Sequence, residues 1–269
     1  MKLNLTPKVT TKYIAMIAVF SALYSILRLI PMGPMIGLSS SFSVSDALAP
    51  LYGIILGPYA GGLSIIIGTF TAMAMGKPVI FLGLDFLPAF INAVAVGFLI
   101  KRKWAPVAVL YIVLLSIFVL SPYSLLTVQV GSVPVPFTWM HIVALIVLLS
   151  PLSFKAVSNI KKSKMAYMAL SLAVIAFIGT MLQHLTGNLV FQLILGKPIG
   201  GIDAAGFQGL WHLIFFAYPV ERIVLVIITV LIGVPLVRIL KKSILPFEDP
   251  TSEKTKPTNG VDLPSTKES

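Results

Sequence analysis

Eight apolar segments follow one another along this chain, near 13–30, 44–56, 59–75, 80–100, 104–121, 137–158, 165–195 and 209–240, with no long polar stretch between them. Most reach the ~20 residues that carry a helix across a bilayer. Backbone amides and carbonyls inside lipid must find partners within the chain, and an unbroken helix provides one for nearly every residue. The predicted fold is therefore an all-α polytopic membrane bundle of about eight helical segments. The 44–56 segment is too short for an upright crossing and is expected to be tilted or partial. We assign one transmembrane domain to 1–243. Pro, Ser, Thr, Lys and Glu dominate 244–269, a composition that buries no core and predicts a disordered cytoplasmic tail.

Charge then orients the bundle. Of 269 residues only 11% are charged, yet the formal net charge is +11. A nucleic-acid partner is not indicated, because the cations form no stripe with interleaved aromatics. They gather instead at alternate ends of the apolar segments. Lys2, Lys8 and Lys12 precede the first segment, and Lys101, Arg102 and Lys103 follow the fourth. Lys155, Lys161, Lys162 and Lys164 accompany the end of the sixth, and Arg238, Lys241 and Lys242 the end of the eighth. The intervening connections carry only Lys77 and Lys197. This asymmetry places both termini in the cytoplasm of a multi-pass cell-membrane protein. Eight passes satisfy that parity, and so would six.

Ionisable and polar groups inside lipid are costly and by default mark a path, a site or a helix contact. Here most fall toward the external side. His184, Asn188 and Gln192 recur every four residues and share one helix face. Asp85, Trp139, His141, Trp211 and His212 lie at comparable external depth, and together the eight are candidates to line a cup that captures a solute. Each has a plainer role as well. Interhelical hydrogen bonds account for many such polar side chains, and tryptophans near helix ends commonly anchor at the interface. Asp85 would pair with Arg28, or Arg28 with Glu221. Glu221 and Arg222 are adjacent, point in different directions and are each expected to need a separate partner.

Several chemistries find no support. There is no cysteine, and three scattered histidines without HExxH spacing do not make a metal site. No phosphate-binding loop, nucleophile elbow or dinucleotide fingerprint occurs. The chain is not expected to be an enzyme or to hold a cofactor. Gly76-Lys77-Pro78 and Gly196-Lys197-Pro198 end two segments, which is ordinary helix-stop punctuation. The uncharged, turn-rich connection at 31–45 is expected to form a hairpin or a lid.

Small residues complete the pattern. Ala15, Ala18, Ala22 and Ser25 lie along one face of the first segment, and Gly57, Gly61, Gly68 and Ala72 along the third. Such faces let helices approach closely in lipid. With Ala15 to Ala22, the stretch from Asp46 to Gly62 and its helix to Gly76, and Tyr218-Pro-Val-Glu-Arg-Ile-Val, the chain resembles the substrate-binding S component of an energy-coupling factor transporter. The resemblance covers roughly 13–100 and, more loosely, 165–240. It implies a six-helix core, to which 104–158 would add a helical pair. It also implies capture of a vitamin or similar small solute from outside. Ala15, Ala18 and Ala22 would dock on a transmembrane T component, with paired ABC ATPase subunits supplying the energy. An ion-coupled secondary transporter using Asp85 and Glu221 is the main alternative, and an intramembrane enzyme a more distant one.

The topology is directly testable. Single cysteines at positions 102 and 128 should differ in labelling by an impermeant thiol reagent on intact cells, with 128 modified and 102 protected. Labelling of 102 from outside would reverse the orientation.

Overall fold

The computed structural model describes residues 11–34, 36, 41–160 and 164–240. The tail expected over 244–269 lies outside them. Helix α1 (Thr11–Leu29) leads into a small antiparallel hairpin of β1 (Pro31–Pro34) and β2 (Ser41–Ser43), then α2 (Val44–Ala74). A single 3₁₀ turn (Leu84–Phe86) precedes α3 (Leu87–Ile100), which is followed by α4 (Trp104–Leu120). A second hairpin, β3 (Thr127–Val130) and β4 (Val133–Pro136), connects to α5 (Trp139–Leu149) and α6 (Pro151–Asn159). The long helices α7 (Met165–Leu195) and α8 (Ala204–Leu240) complete the described chain. The protein is an all-α polytopic bundle in which the described residues form two hairpins and no closed sheet.

Four helices, α1, α2, α7 and α8, are long and apolar enough to cross a membrane, and α5 with α6 forms a fifth candidate span bent by 67°. The bend follows from Ser150-Pro151: Pro151 opens α6, where its missing N–H costs nothing, and Ser150 Oγ accepts from the Leu152 amide. Large apolar side chains also stand along the outer surface. Val19, Ile112, Ile146, Leu170, Leu213 and Ile223 are all exposed. A surface of that kind requires lipid around it, so the chain is a multi-pass membrane protein.

The polarity of α1 is correspondingly inverted. Its buried residues are Ser21, Tyr24, Ser25 and Arg28, whereas Ile14, Val19, Leu23 and Ile26 face out. Ala15, Ala18 and Ala22 are exposed on the same outward side.

Helix α2 is two segments rather than one rod. At Gly57 the backbone takes φ 77°, ψ −178°, a region that only glycine enters readily. Pro58 then starts the next helical stretch. The chain reverses so sharply that a Cβ on Gly61 would lie 2.7 Å from the Tyr52 carbonyl oxygen, although nine residues of straight helix would separate them by ~13 Å. The short 44–56 segment and the 59–75 segment expected from sequence are therefore both present, joined at a corner. Lys101 from the end of α3 closes this corner, its Nζ 5.5 Å above the Tyr59 ring.

Close helix approach continues into α3 and α7. A Cβ at Gly53 would collide with the Ala93 carbonyl, and one at Gly97 with the Pro58 nitrogen. Gly61, Gly68 and Ala72 are likewise turned inward. The two Gly-Lys-Pro sequences differ in structure, Gly76 having φ 101° and Gly196 φ −71°, so they are not copies of one turn.

Because the obstacle at Gly97 is backbone, Gly97→Ala should lower stability by about 1–3 kcal/mol, the usual cost of overpacking. Gly209→Ala, on an exposed stretch of α8 with nothing within 4 Å of the added carbon, should be neutral or stabilising. Thermal unfolding in detergent measures both.

Candidate functional site

At the end of the bundle carrying the β1–β2 hairpin and the loop before α3, the helices part around a cavity. Together with its open mouth it holds about 970 Å³ of empty space. Its walls come from distant parts of the chain. Arg28 ends α1, Phe42 and Ser43 belong to β2, and Asp46 lies in the first turn of α2. Gln183, His184 and Asn188 project from α7, and Tyr218, Glu221 and Arg222 from α8. The last two sets obey helical spacing, Gly187 and Phe191 continuing the α7 face and Ile214 and Ala217 the α8 face.

Asp46 is the junction of this wall. Its Oδ2 accepts from the backbone N–H and the hydroxyl of Ser43, both at 2.9 Å. This reciprocal helix start is foreshadowed by the Ser43-x-x-Asp46 spacing. Its Oδ1 accepts from Gln183 Nε2 at 3.4 Å and lies 3.9 Å from Arg28 Nη1. Gln183 in turn accepts from Asn92 Nδ2 at 2.6 Å. One connected set of polar groups thus ties α1, α2, α3 and α7.

The charge pairs differ from those expected. Arg28 does not reach Glu221. It pairs with Asp46 and donates from Nη2 to the Asp85 backbone carbonyl at 3.1 Å. Glu221 and Arg222, expected to need separate partners, contact each other at 3.4 Å. Adjacent helical positions permit this because the arginine side chain is long enough to fold back toward its neighbour. Arg222 also sits 5.4 Å from the Phe42 ring centre, a cation–π contact with the hairpin.

The residues expected to form the cup are distributed unequally. Asp85, His184 and Asn188 line the cavity. The Asp85 carboxylate is already occupied, accepting from the Ile80 and Phe81 amides at 3.0 Å each, so it clamps the turn before α3. His141 is fully buried behind the wall, its Nε2 3.2 Å from His184 Nδ1. Gln192 donates to Ser124 at 2.8 Å, toward the α4–β3 connection. Trp211 donates to the Tyr123 carbonyl at 2.6 Å inside an aromatic cluster with Phe118, Phe137 and Phe207. Trp139 is 37% exposed on the surface. His212 is exposed, with Nδ1 3.0 Å from the Gln208 carbonyl of its own helix. His141, Gln192, Trp211, Trp139 and His212 therefore lie outside the cavity lining.

Sequence reasoning passed over Asp46 as a site residue, gave Arg28 and Arg222 structural roles only, and gave Glu221 a functional role only in the ion-coupled alternative. The available signal was their charge in otherwise apolar surroundings. The direction in which each of these side chains faces was not legible. Lys77 at the mouth, outside the helices, has an amine lowered from its ordinary value first by burial and next by the nearby Arg28, with Asp46 opposing. Among the described residues no group of three His, Cys, Asp or Glu side chains gathers to hold a metal. No protein-family model, curated protein or solved structure matches this chain.

The double acceptor role of Asp85 gives a prediction. Asp85→Asn retains one acceptor oxygen and loses the charge, so it should lower stability by about 1.5–3 kcal/mol, the range for a hydrogen bond to a charged group. Thermal unfolding of the solute-free protein reads this directly. An unchanged midpoint would show that the clamp contributes nothing.

Proposed function

We propose that this chain is a membrane-embedded solute-binding subunit. It captures a vitamin or similarly small solute from the extracellular side and works as the S component of an energy-coupling factor transporter. The observation that carries the reading is the cavity at one end of an apolar-surfaced bundle, where charged and polar side chains interrupt a largely apolar lining. Arg28, Arg222, Asp46, Glu221, Gln183 and Asn188 gather around empty space there. Such a gathering incurs a large desolvation cost, and ligand binding is the usual return. The absence of any phosphate-binding loop in the sequence is consistent with energy supplied by other subunits.

Two further features support the reading. The β1–β2 hairpin contributes Phe42 and Ser43 to the cavity lining, and in this reading it closes over a bound solute. Helix α1 turns its polar side inward and leaves Ala15, Ala18 and Ala22 uncovered. Among the described residues no other helix packs over that alanine face. A T component would dock there, where small side chains allow two helix backbones to approach. By the charge asymmetry of the sequence, the cavity mouth faces outward.

The purified chain should bind solute without nucleotide and should not accumulate it in proteoliposomes unless T and ATPase subunits are present with ATP. Ala18→Leu combined with Ala22→Leu should leave binding within about twofold and reduce coupled uptake at least about tenfold, because the bulky side chains hold the partner helix away. Radiolabelled uptake measures the second quantity and equilibrium binding the first. Uptake by the chain alone under an ion gradient would favour a secondary transporter instead.

A further inference from the structure

The cavity is unevenly satisfied, and the imbalance has a chemical sign. Two of its three carboxylates are engaged, and among the described residues Glu221 is held only by Arg222 at 3.4 Å. Asp85 receives two backbone amides, and Asp46 receives Ser43 twice and Gln183 once. On the donor side, Arg28 Nε, Arg222 Nε and Asn188 Nδ2 are buried without a hydrogen-bond partner among the described residues. A guanidinium carries five N–H donors. Arg222 directs one nitrogen toward Glu221 at 3.4 Å, while the residue is only 2% exposed. Arg28 donates to the Asp85 carbonyl, approaches Asp46 at 3.9 Å and lies against the Tyr24 hydroxyl.

Buried donors without acceptors are expensive, and more so when charged. Three of them at one cavity call for a ligand that brings acceptors. The cavity holds the cations Arg28, Arg222 and Lys77 and the carboxylates Asp46, Asp85 and Glu221, so its formal charges balance, yet Lys77 stands near enough to Arg28 for the two to repel. An anion would relieve that repulsion. Other parts of the lining are apolar and partly aromatic, with Phe42, Phe81, Phe191 and Tyr218. A bare inorganic ion leaves such surface uncontacted, so the ligand has an apolar body as well.

Resting on the solute-binding reading above, we infer that the ligand is a small organic anion. Its oxyanion group is held between Arg28 and Arg222 with Asn188 donating to it, and its apolar or aromatic body lies against the phenylalanines of the hairpin and α7. The planar guanidinium matches two oxygens of a carboxylate or phosphate group at once, which a lysine ammonium does not. Asp46 holds Arg28 in place in the empty protein and competes with the ligand for it, a positioning role rather than a contact.

The test uses the full chain in detergent, with a mixture of natural solutes as the probe. A small-molecule filtrate of yeast extract is split on an anion-exchange resin at neutral pH into retained and unretained fractions. Thermal unfolding of the protein is followed with each fraction and with inorganic phosphate alone. Stabilisation by the retained fraction, absent with phosphate, is the expected result. Arg28→Lys and Arg222→Lys should each raise the amount of that fraction needed for half-maximal stabilisation at least about tenfold, as loss of paired oxyanion contacts requires. Asn188→Ala, which leaves both charges in place, should raise it severalfold and serves if either arginine variant fails to fold. Stabilisation confined to the unretained fraction overturns the anion assignment while preserving the solute-binding reading. Stabilisation by phosphate alone overturns the organic body. No stabilisation by any fraction overturns the solute-binding reading itself.

Discussion

Asp46 is the point through which the polar interior of this bundle is organised. One carboxylate starts α2, steadies Arg28 at the end of α1 and meets Gln183 of α7, which is itself tied to Asn92 of α3. Single polar contacts between membrane helices contribute little, about 0.6 kcal/mol on average. Their combined effect here is geometric: four helices are fixed at one depth, and the cavity opens beside that junction. An unpaired carboxylate in this setting would be costly, which makes Asp46 and its partners a unit.

The packing of α2, α3 and α7 provides the rigid back of the site. Gly53, Gly97 and Gly179 allow these segments to approach until an added Cβ would collide with backbone or with Asn92. Where glycine permits contact the bundle is dense. At the cavity, larger side chains and the hairpin line a space bounded by α7 and α8. The Gly57 corner contributes by returning the chain after a short pass, so that α2 supplies both the Asp46 end and the tightly packed return segment.

A separate aromatic assembly closes the side of the cavity. Tyr218 stacks on His184 with ring centres 4.8 Å apart, and His184 meets His141 through their ring nitrogens. Beyond them Phe118, Phe137 and Trp211 bring α4, the end of the β3–β4 hairpin and α8 together. Tyr218 donates to the Phe137 carbonyl and Trp211 to the Tyr123 carbonyl, so the irregular backbone around that hairpin is satisfied where it meets the bundle. The 104–158 region thereby buttresses the wall made by α7 and α8.

The eight apolar segments, their helical state and the membrane environment follow from the sequence alone, because lipid leaves a chain this apolar no alternative to internally bonded helices. The short 44–56 segment and the hairpin within 31–45 were legible for related reasons, one from length and the other from turn-forming residues. The four-residue spacing that puts His184 and Asn188 on one face of α7 was legible too, and both line the cavity. Rotation and partner choice were not. His141, Gln192, Trp211 and His212 turn toward a histidine, a serine hydroxyl, a tyrosine carbonyl and the surface. Arg28 was expected to pair with the carboxylate of Asp85 or Glu221, whereas the fold gives it Asp46 and the backbone carbonyl of Asp85. How far along its helix a side chain sits depends on local hydrogen bonding, and local residues determine it. Which neighbour it faces depends on how separate helices rotate and tilt to bury glycine faces and pair charges, and only the tertiary structure decides that.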